Sequence, residues 1–287
     1  MPKTPEPRWE QDILYAMVPG TERNLLADLW LPPKGVEPSG LAYLYIHGGY
    51  YQIGEKGIAF PPLFTNLPSF RHLASQGHVV MDIGYRLVDE TDIFGMTGDV
   101  KRAIAWMKEN ADRYGVDPDR IVLAGASSGG NLALLAAYSP GIGALTPTDF
   151  QGVDTSVRGV VSYYGVHDLT AFYALGGDQE LFHKLIGGNL EDIPERYRLA
   201  SPINLVDENA PDTYLFQGLH DQPHLVEAAR NLAHILQEKG IPAVLVELPQ
   251  TEHAFDMLLP HISPPAHSAL YDLDRFLGLM VTKLLKN

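Results

Sequence analysis

The 287 residues include no cysteine, which excludes disulfides, thiolate metal sites and a cysteine nucleophile. No apolar run approaches the roughly 18 residues that span a bilayer. The opening stretch MPKTPEPRWEQD has no apolar h-region, so no leader peptide is expected. Basic residues are scarce: 21 Lys and Arg stand against 35 Asp and Glu, a formal charge of −14. Such a field repels phosphate backbones and anionic lipid. The expected partner is a small neutral molecule, with no nucleic acid and no membrane. Internal repeats and low-complexity segments are missing too. A cytoplasmic globular protein is the expectation, and self-association stays open.

What is present is an ordinary core composition, 45% apolar and 20% charged, in a length that suits one large α/β domain. Residues 26–31, 41–46, 79–83, 120–125, 157–164, 213–217 and 243–248 read as strands, most of them continuous apolar runs of the kind buried on both faces of a parallel sheet. Helical patterns lie between them at 97–114, 128–138, 224–239 and 266–285. Strand and helix in alternation predict a mostly parallel, doubly wound sheet. Residues 26–31 and 41–46, joined through Pro32-Pro33-Lys34-Gly35, are too close for an intervening helix and are expected to be antiparallel neighbours. Residues 166–206 break the rhythm with helix-like segments, Gly pairs and aromatics but no strand. They are expected to form a cap inserted within a single domain spanning 1–287, over the carboxyl ends of the strands.

Gly125-Ala126-Ser127-Ser128-Gly129 joins a buried strand to a buried helix. This is G-x-S-x-G in strand–turn–helix context, where small residues on either side allow a sharp elbow that lifts a serine hydroxyl above the sheet. Centring on Ser127 puts glycine at both flanking positions; centring on Ser128 puts Ala126 in one of them. Ser127 is therefore the candidate nucleophile. Upstream, a strand runs into His47-Gly48-Gly49-Tyr50-Tyr51. Main-chain N–H groups of Gly49 and Tyr50 (Gly48 being an alternative), with that of Ser128, are candidate donors to a developing oxyanion. His47 precedes the turn and reads as a buried residue bonding the loop.

Past Ser127, Asp221 follows the strand 213–217, and His253 follows the strand 243–248. Serine, acid and histidine on successive loops at one end of a sheet are the components of nucleophilic acyl transfer. Asp256 is the second choice as acid, but lies too near His253 in sequence to reach its far side. Asp212 precedes its strand and falls at the wrong end. His220 and His224 lack a third ligand, so no metal is expected, and the chemistry needs no cofactor. Tyr51, Tyr164 and Phe172 are candidate substrate contacts.

Taken together, His47-Gly48-Gly49, Tyr85-Arg86-Leu87, Asp99-Val100, Gly125-Ala126-Ser127-Ser128-Gly129-Gly130-Asn131 and Ala200-Ser201-Pro202 resemble the hormone-sensitive-lipase-like group of α/β-hydrolase esterases over residues 41–260. The resemblance implies the α/β-hydrolase fold and a carboxylesterase, and the length of the cap at 166–206 suggests esters of small to medium acyl chain. It also implies oxyanion donors at Gly49 and Tyr50. Tyr50 stands where the family has a third glycine, Ala126 where it has an acid, and Ser128 where it has an alanine. His-Gly-Gly-Tyr followed by an aromatic is also similar to the kynurenine formamidase branch, which leaves an amidase or formamidase open. A non-catalytic ligand-binding homologue is the third reading.

Overall fold

The computed structural model describes residues 6–57, 59–60, 64–176 and 178–282. Its main sheet has eight strands: β1 (Arg8–Met17), β2 (Asn24–Leu31), β3 (Gly40–Ile46), β6 (Val79–Ile83), β7 (Val116–Ala126), β8 (Gly159–Tyr163), β9 (Asp212–Gly218) and β10 (Ala243–Leu248). Between β3 and β6, the short strands β4 (Ala59–Phe60) and β5 (Phe64–Thr65) pair with each other. The helices are α1 (Leu67–Ser75), α2 (Ile93–Glu109), α3 (Ala111–Tyr114), α4 (Ser128–Ala137), α5 (Leu169–Ala174), α6 (Gln179–Ile186), α7 (Pro194–Ala200), α8 (Pro223–Glu238) and α9 (Pro264–Thr282).

Across the sheet the order is β1-β2-β6-β3-β7-β8-β9-β10. From β6 to β10 every pairing is parallel, while β1 and β2 are antiparallel additions at one edge. Alternation along the strands sorts the core into two layers. Ala42, Leu44 and Ile46 of β3 join a cluster on one face, with α2 and α4. Leu41, Tyr43 and Tyr45 join a cluster on the other, with α1 and α9. Apolar burial on both faces is what the continuous hydrophobic runs demand.

The expected pairing of residues 26–31 with 41–46 is corrected. β6 lies between β2 and β3, pairing antiparallel with the first and parallel with the second. Neighbouring strands are about 4.8 Å apart, so skipping one place needs a reach of only about 10 Å, which a short proline-containing link spans without a helix. β1 went unread because two register shifts and a left-handed residue, Asp12 at φ 54°, break its two-residue period.

Residues 166–206 hold α5, α6, α7 and a short 3-10 turn at Pro202–Asn204, with no strand among the described residues. Asn131 of α4 holds both ends of this excursion. Its Nδ2 donates to the carbonyls of Val166 at 2.8 Å and Ala200 at 3.2 Å. Nearby, Ser201 Oγ accepts from Leu169 N–H and donates to the Tyr197 carbonyl. No helix among the described residues is long and apolar enough to cross a membrane.

Candidate active site

β7 delivers the chain into α4 through Ser127, whose backbone sits at φ 55°, ψ −120°. A non-glycine residue there is strained, and it persists only where its surroundings hold it. Here Ser127 N–H donates to the Tyr163 carbonyl at 2.9 Å, and Asn131 N–H closes onto the Ser127 carbonyl. Gly129 is required by close approach: a Cβ would stand 2.2 Å from the Ile46 carbonyl oxygen and 2.4 Å from that of His47. The two adjacent serines separate cleanly. Ser128 is buried as the first residue of α4, whereas Ser127 lines a pocket of about 440 Å³.

The loop after β3 forms another wall of that pocket through Gly48, Gly49 and Tyr50. A Cβ on Gly48 would stand 2.8 Å from the Ala126 carbonyl oxygen and 3.3 Å from Ser127 Cβ, so this loop lies directly against the elbow. Tyr50 and Tyr51 are both left-handed, at φ 57° and 63°, and the N–H groups of Gln52 and Ile53 both close onto the Gly49 carbonyl. Among the described residues, nothing accepts a hydrogen bond from the N–H of Gly49 or Tyr50. His47 is buried beneath, with Nδ1 bonded to the Gly48 carbonyl at 2.7 Å and its ring stacked on Tyr85. Burial pushes its pKa down to about 4, so at neutral pH it is an uncharged brace for the loop.

β9 and β10 run parallel with Gly218 opposite Leu248, so the loops that follow them are neighbours. His220 N–H donates across to the Thr251 carbonyl at 2.9 Å. This places Asp221 Oδ2 2.7 Å from His253 Nδ1. Asp221 also accepts from Gln217 Nε2 at 3.0 Å and Gln222 N–H at 2.7 Å. Burial works to raise its carboxyl, but the His253 hydrogen bond and charge, with the two further donors, hold it below the usual carboxylate range. An ionised Asp221 fixes the Nδ1–H tautomer of His253 and leaves Nε2 as the acceptor. His253 lines the same pocket as Ser127. No hydrogen bond joins Ser127 Oγ to His253; such contacts are often long in free enzymes and tighten when substrate binds.

The structure thus gathers Ser127, His253, Gly48, Gly49, Tyr50 and Tyr164 around one pocket, with Asp221 behind the imidazole. Two expected substrate contacts fall elsewhere. Tyr51 is fully buried in the core because successive left-handed residues turn Tyr50 outward and Tyr51 inward. Phe172, on α5, does not line the pocket; it packs edge-on against Tyr50 at 6.1 Å and stacks on His224. Asp256 receives the Tyr164 hydroxyl rather than His253. Sequence reasoning missed Gln217, Gln222, Ile53 and Met257. The last three line the pocket, and nothing in their spacing marked them.

A protein-family model described as BD-FAE matches residues 27–236. The chain belongs to the BD-FAE family. Its family falls in the hormone-sensitive-lipase-like group of α/β-hydrolases. The esterase LipQ of Mycobacterium tuberculosis is 34% identical over 281 residues, covering 94% of this chain and 62% of LipQ. The probable carboxylic ester hydrolase LipM of the same organism is 33% identical over 243 residues, covering 80% and 53%. The chain therefore spans about half to three fifths of the length of these curated relatives. Among solved structures, the apo form of Thermogutta terrifontis esterase 2 superposes with a TM-score of 0.77 at 22% identity, over 96% of each chain. A truncated carbohydrate esterase from gut microbiota gives 0.78 at 24%, over 98% of each. At that identity the likeness establishes the α/β-hydrolase fold.

The motif pieces noted in the sequence also hold one another in place. Arg86 grips Asp99 bidentately, at 2.8 and 2.7 Å, and Tyr85 Oη donates to the His47 carbonyl at 2.9 Å. The ends of β3 and β6 are thereby tied to α2, away from the pocket.

Proposed function

We propose that this BD-FAE member is a serine carboxylesterase acting on esters of small to medium acyl chain. Ser127 is the nucleophile, His253 the general base and acid, and Asp221 the group that orients the imidazole. One observation carries the reading: an Asp221–His253 hydrogen bond opens into the pocket that a left-handed, elbow-borne serine also lines. The names of LipQ and LipM support the same assignment.

In the reaction, Ser127 Oγ attacks the ester carbonyl carbon as His253 Nε2 takes its proton. The N–H groups of Gly49, Tyr50 and Ser128 stabilise the alkoxide, at the N-terminus of α4 where the helix dipole favours negative charge. The C–O bond to the alcohol breaks and His253 returns the proton to that oxygen. Water, deprotonated by the same imidazole, then cleaves the acyl-enzyme to release the acid and restore Ser127. The helices of residues 166–206 act as a cap over the pocket, with Phe172 bracing Tyr50 at its rim. A pocket of about 440 Å³ lined by Ile53, Phe64, Tyr164 and Met257 suits a compact apolar acyl or alcohol group.

The test is fluorophosphonate labelling together with p-nitrophenyl butyrate turnover. Labelling that vanishes in Ser127→Ala, with turnover lost in parallel, is expected. Folded protein that neither labels nor hydrolyses the ester would overturn the assignment, as would faster cleavage of N-formylkynurenine.

A further inference from the structure

Tyr164 and Asp256 have no part in the reaction as written, yet they crowd its base. Tyr164 follows β8 in the left-handed region, at φ 40°, a strained state for an aromatic residue. It is held at both ends. Its N–H donates to the Phe216 carbonyl at 2.7 Å, and its hydroxyl donates to Asp256 Oδ1. Between these anchors the ring lies against His253 with centroids 4.4 Å apart, and Phe255 packs edge-on at 5.4 Å. Three residues of the loop after β10, namely His253, Phe255 and Asp256, thus surround one tyrosine.

We infer that Tyr164 and Asp256 form a positioning pair for His253, setting its ring plane and stabilising the imidazolium that exists only while the reaction is under way. This rests on the function proposed above. Two effects act together. The tyrosine ring offers a negative quadrupole to a cation within about 6 Å, and a phenol donating to a carboxylate is richer in electrons than a free one. Asp256 also places a second negative charge near the imidazolium, in a site where water screens little. Neutral His253 gains little from either, so the pair favours the transition state over the substrate complex.

The protonation states fit. Burial, first, and the charge of Asp256 push the Tyr164 phenol well above its usual value, so it stays a donor. Burial raises the Asp256 carboxyl to about 6, against the lowering effects of Tyr164 and His253. The other titratable groups facing Asp256 are Tyr43 and Tyr45 of β3 and Tyr163 of β8, all driven upward by burial and neutral. The covering helices, α1 and α9, bring no charged side chain to the cavity beside it. His253 itself meets Asp221 on its other side.

The experiment compares the parent with Tyr164→Phe, which removes only the hydroxyl, and Asp256→Asn, which removes only the charge. Fluorophosphonate titration counts competent sites, so partial misfolding is divided out. Each variant should lower kcat for p-nitrophenyl butyrate by about tenfold with KM nearly unchanged. The acid limb of kcat/KM should move to lower pH, and the double variant should lose far less than the product of the singles. Losses confined to KM, an unmoved acid limb or strictly multiplicative effects would each overturn the pairing. Absence of labelling and turnover in the parent would instead sink the proposed function, so the two failures are distinguishable.

Discussion

Ser162 and His167 pair inside the core, whereas Ser127 and His253 open onto a pocket. Ser162 Oγ and His167 Nε2 meet at 3.1 Å behind α4, both fully buried. Among the described residues, His167 Nδ1 has no partner, and burial drives its pKa down to about 3. Ser127 and His253 face open space, and Asp221 bonds the imidazole from behind. In the first pair a neutral imidazole serves as a hydrogen-bonding wedge in the core. In the second, the function proposed above has the carboxylate of Asp221 orient the imidazole for proton transfer. A buried acid and an accessible hydroxyl separate the two, although the residue types are the same.

Substitution sharpens this contrast most strongly at the two serines. Ser127→Ala should cut p-nitrophenyl ester turnover by about 10⁴-fold or more, while Ser162→Ala should retain turnover and fluorophosphonate labelling. Equal losses in both would erase the distinction. Next comes the acid: Asp221→Asn keeps the shape but withdraws the charge that fixes the tautomer, and kcat should fall about 10³–10⁴-fold. A loss below tenfold would mean that His253 is oriented by something else.

The strained elbow is specific to Ser127, and Gly129→Ala probes it. A Cβ 2.2 Å from a backbone oxygen has nowhere to go, so chemical denaturation should report a loss of about 3 kcal/mol or more. Around the buried pair, Ser162→Ala strips the His167 ring of its remaining partner and should cost about 1–3 kcal/mol by the same measurement. The last effect is one of pH, and it is small only near neutrality. Unfolded chains protonate histidine below about 6.5, whereas folded His167 resists until about 3. Between these values the unfolded form binds the extra proton, so the stability contributed above that window is lost as pH falls through it. The slope is at most about 1.4 kcal/mol per pH unit, and His167→Gln should remove it.

Much of this contrast was legible in the residues alone. G-x-S-x-G marked Ser127 because glycine is demanded wherever backbone meets backbone, and the parallel order of β9 and β10 made Asp221 and His253 neighbours. Ser162 and His167 gave no signal, since burial is not written in the identity of a serine. Tyr51 was misjudged as a pocket residue because spacing says nothing of left-handed turns that send adjacent side chains opposite ways. The partnership of β2 with β6 was invisible for a related reason: loop length limits reach but does not name the neighbour. Gln217 supports Asp221 through an amide that carries no pattern, and only coordinates reveal it.

Asn131 sits on α4, the helix that follows Ser127, and its single amide group grips both feet of the excursion between Val166 and Ala200. A loop fastened at its base is costed by that base, because closure entropy grows only slowly with length. The segment above the fastening can therefore lengthen, shorten or change its helices without moving the hydroxyl below. On the proposed function, substrate preference can diverge in that segment while the reacting groups stay anchored underneath.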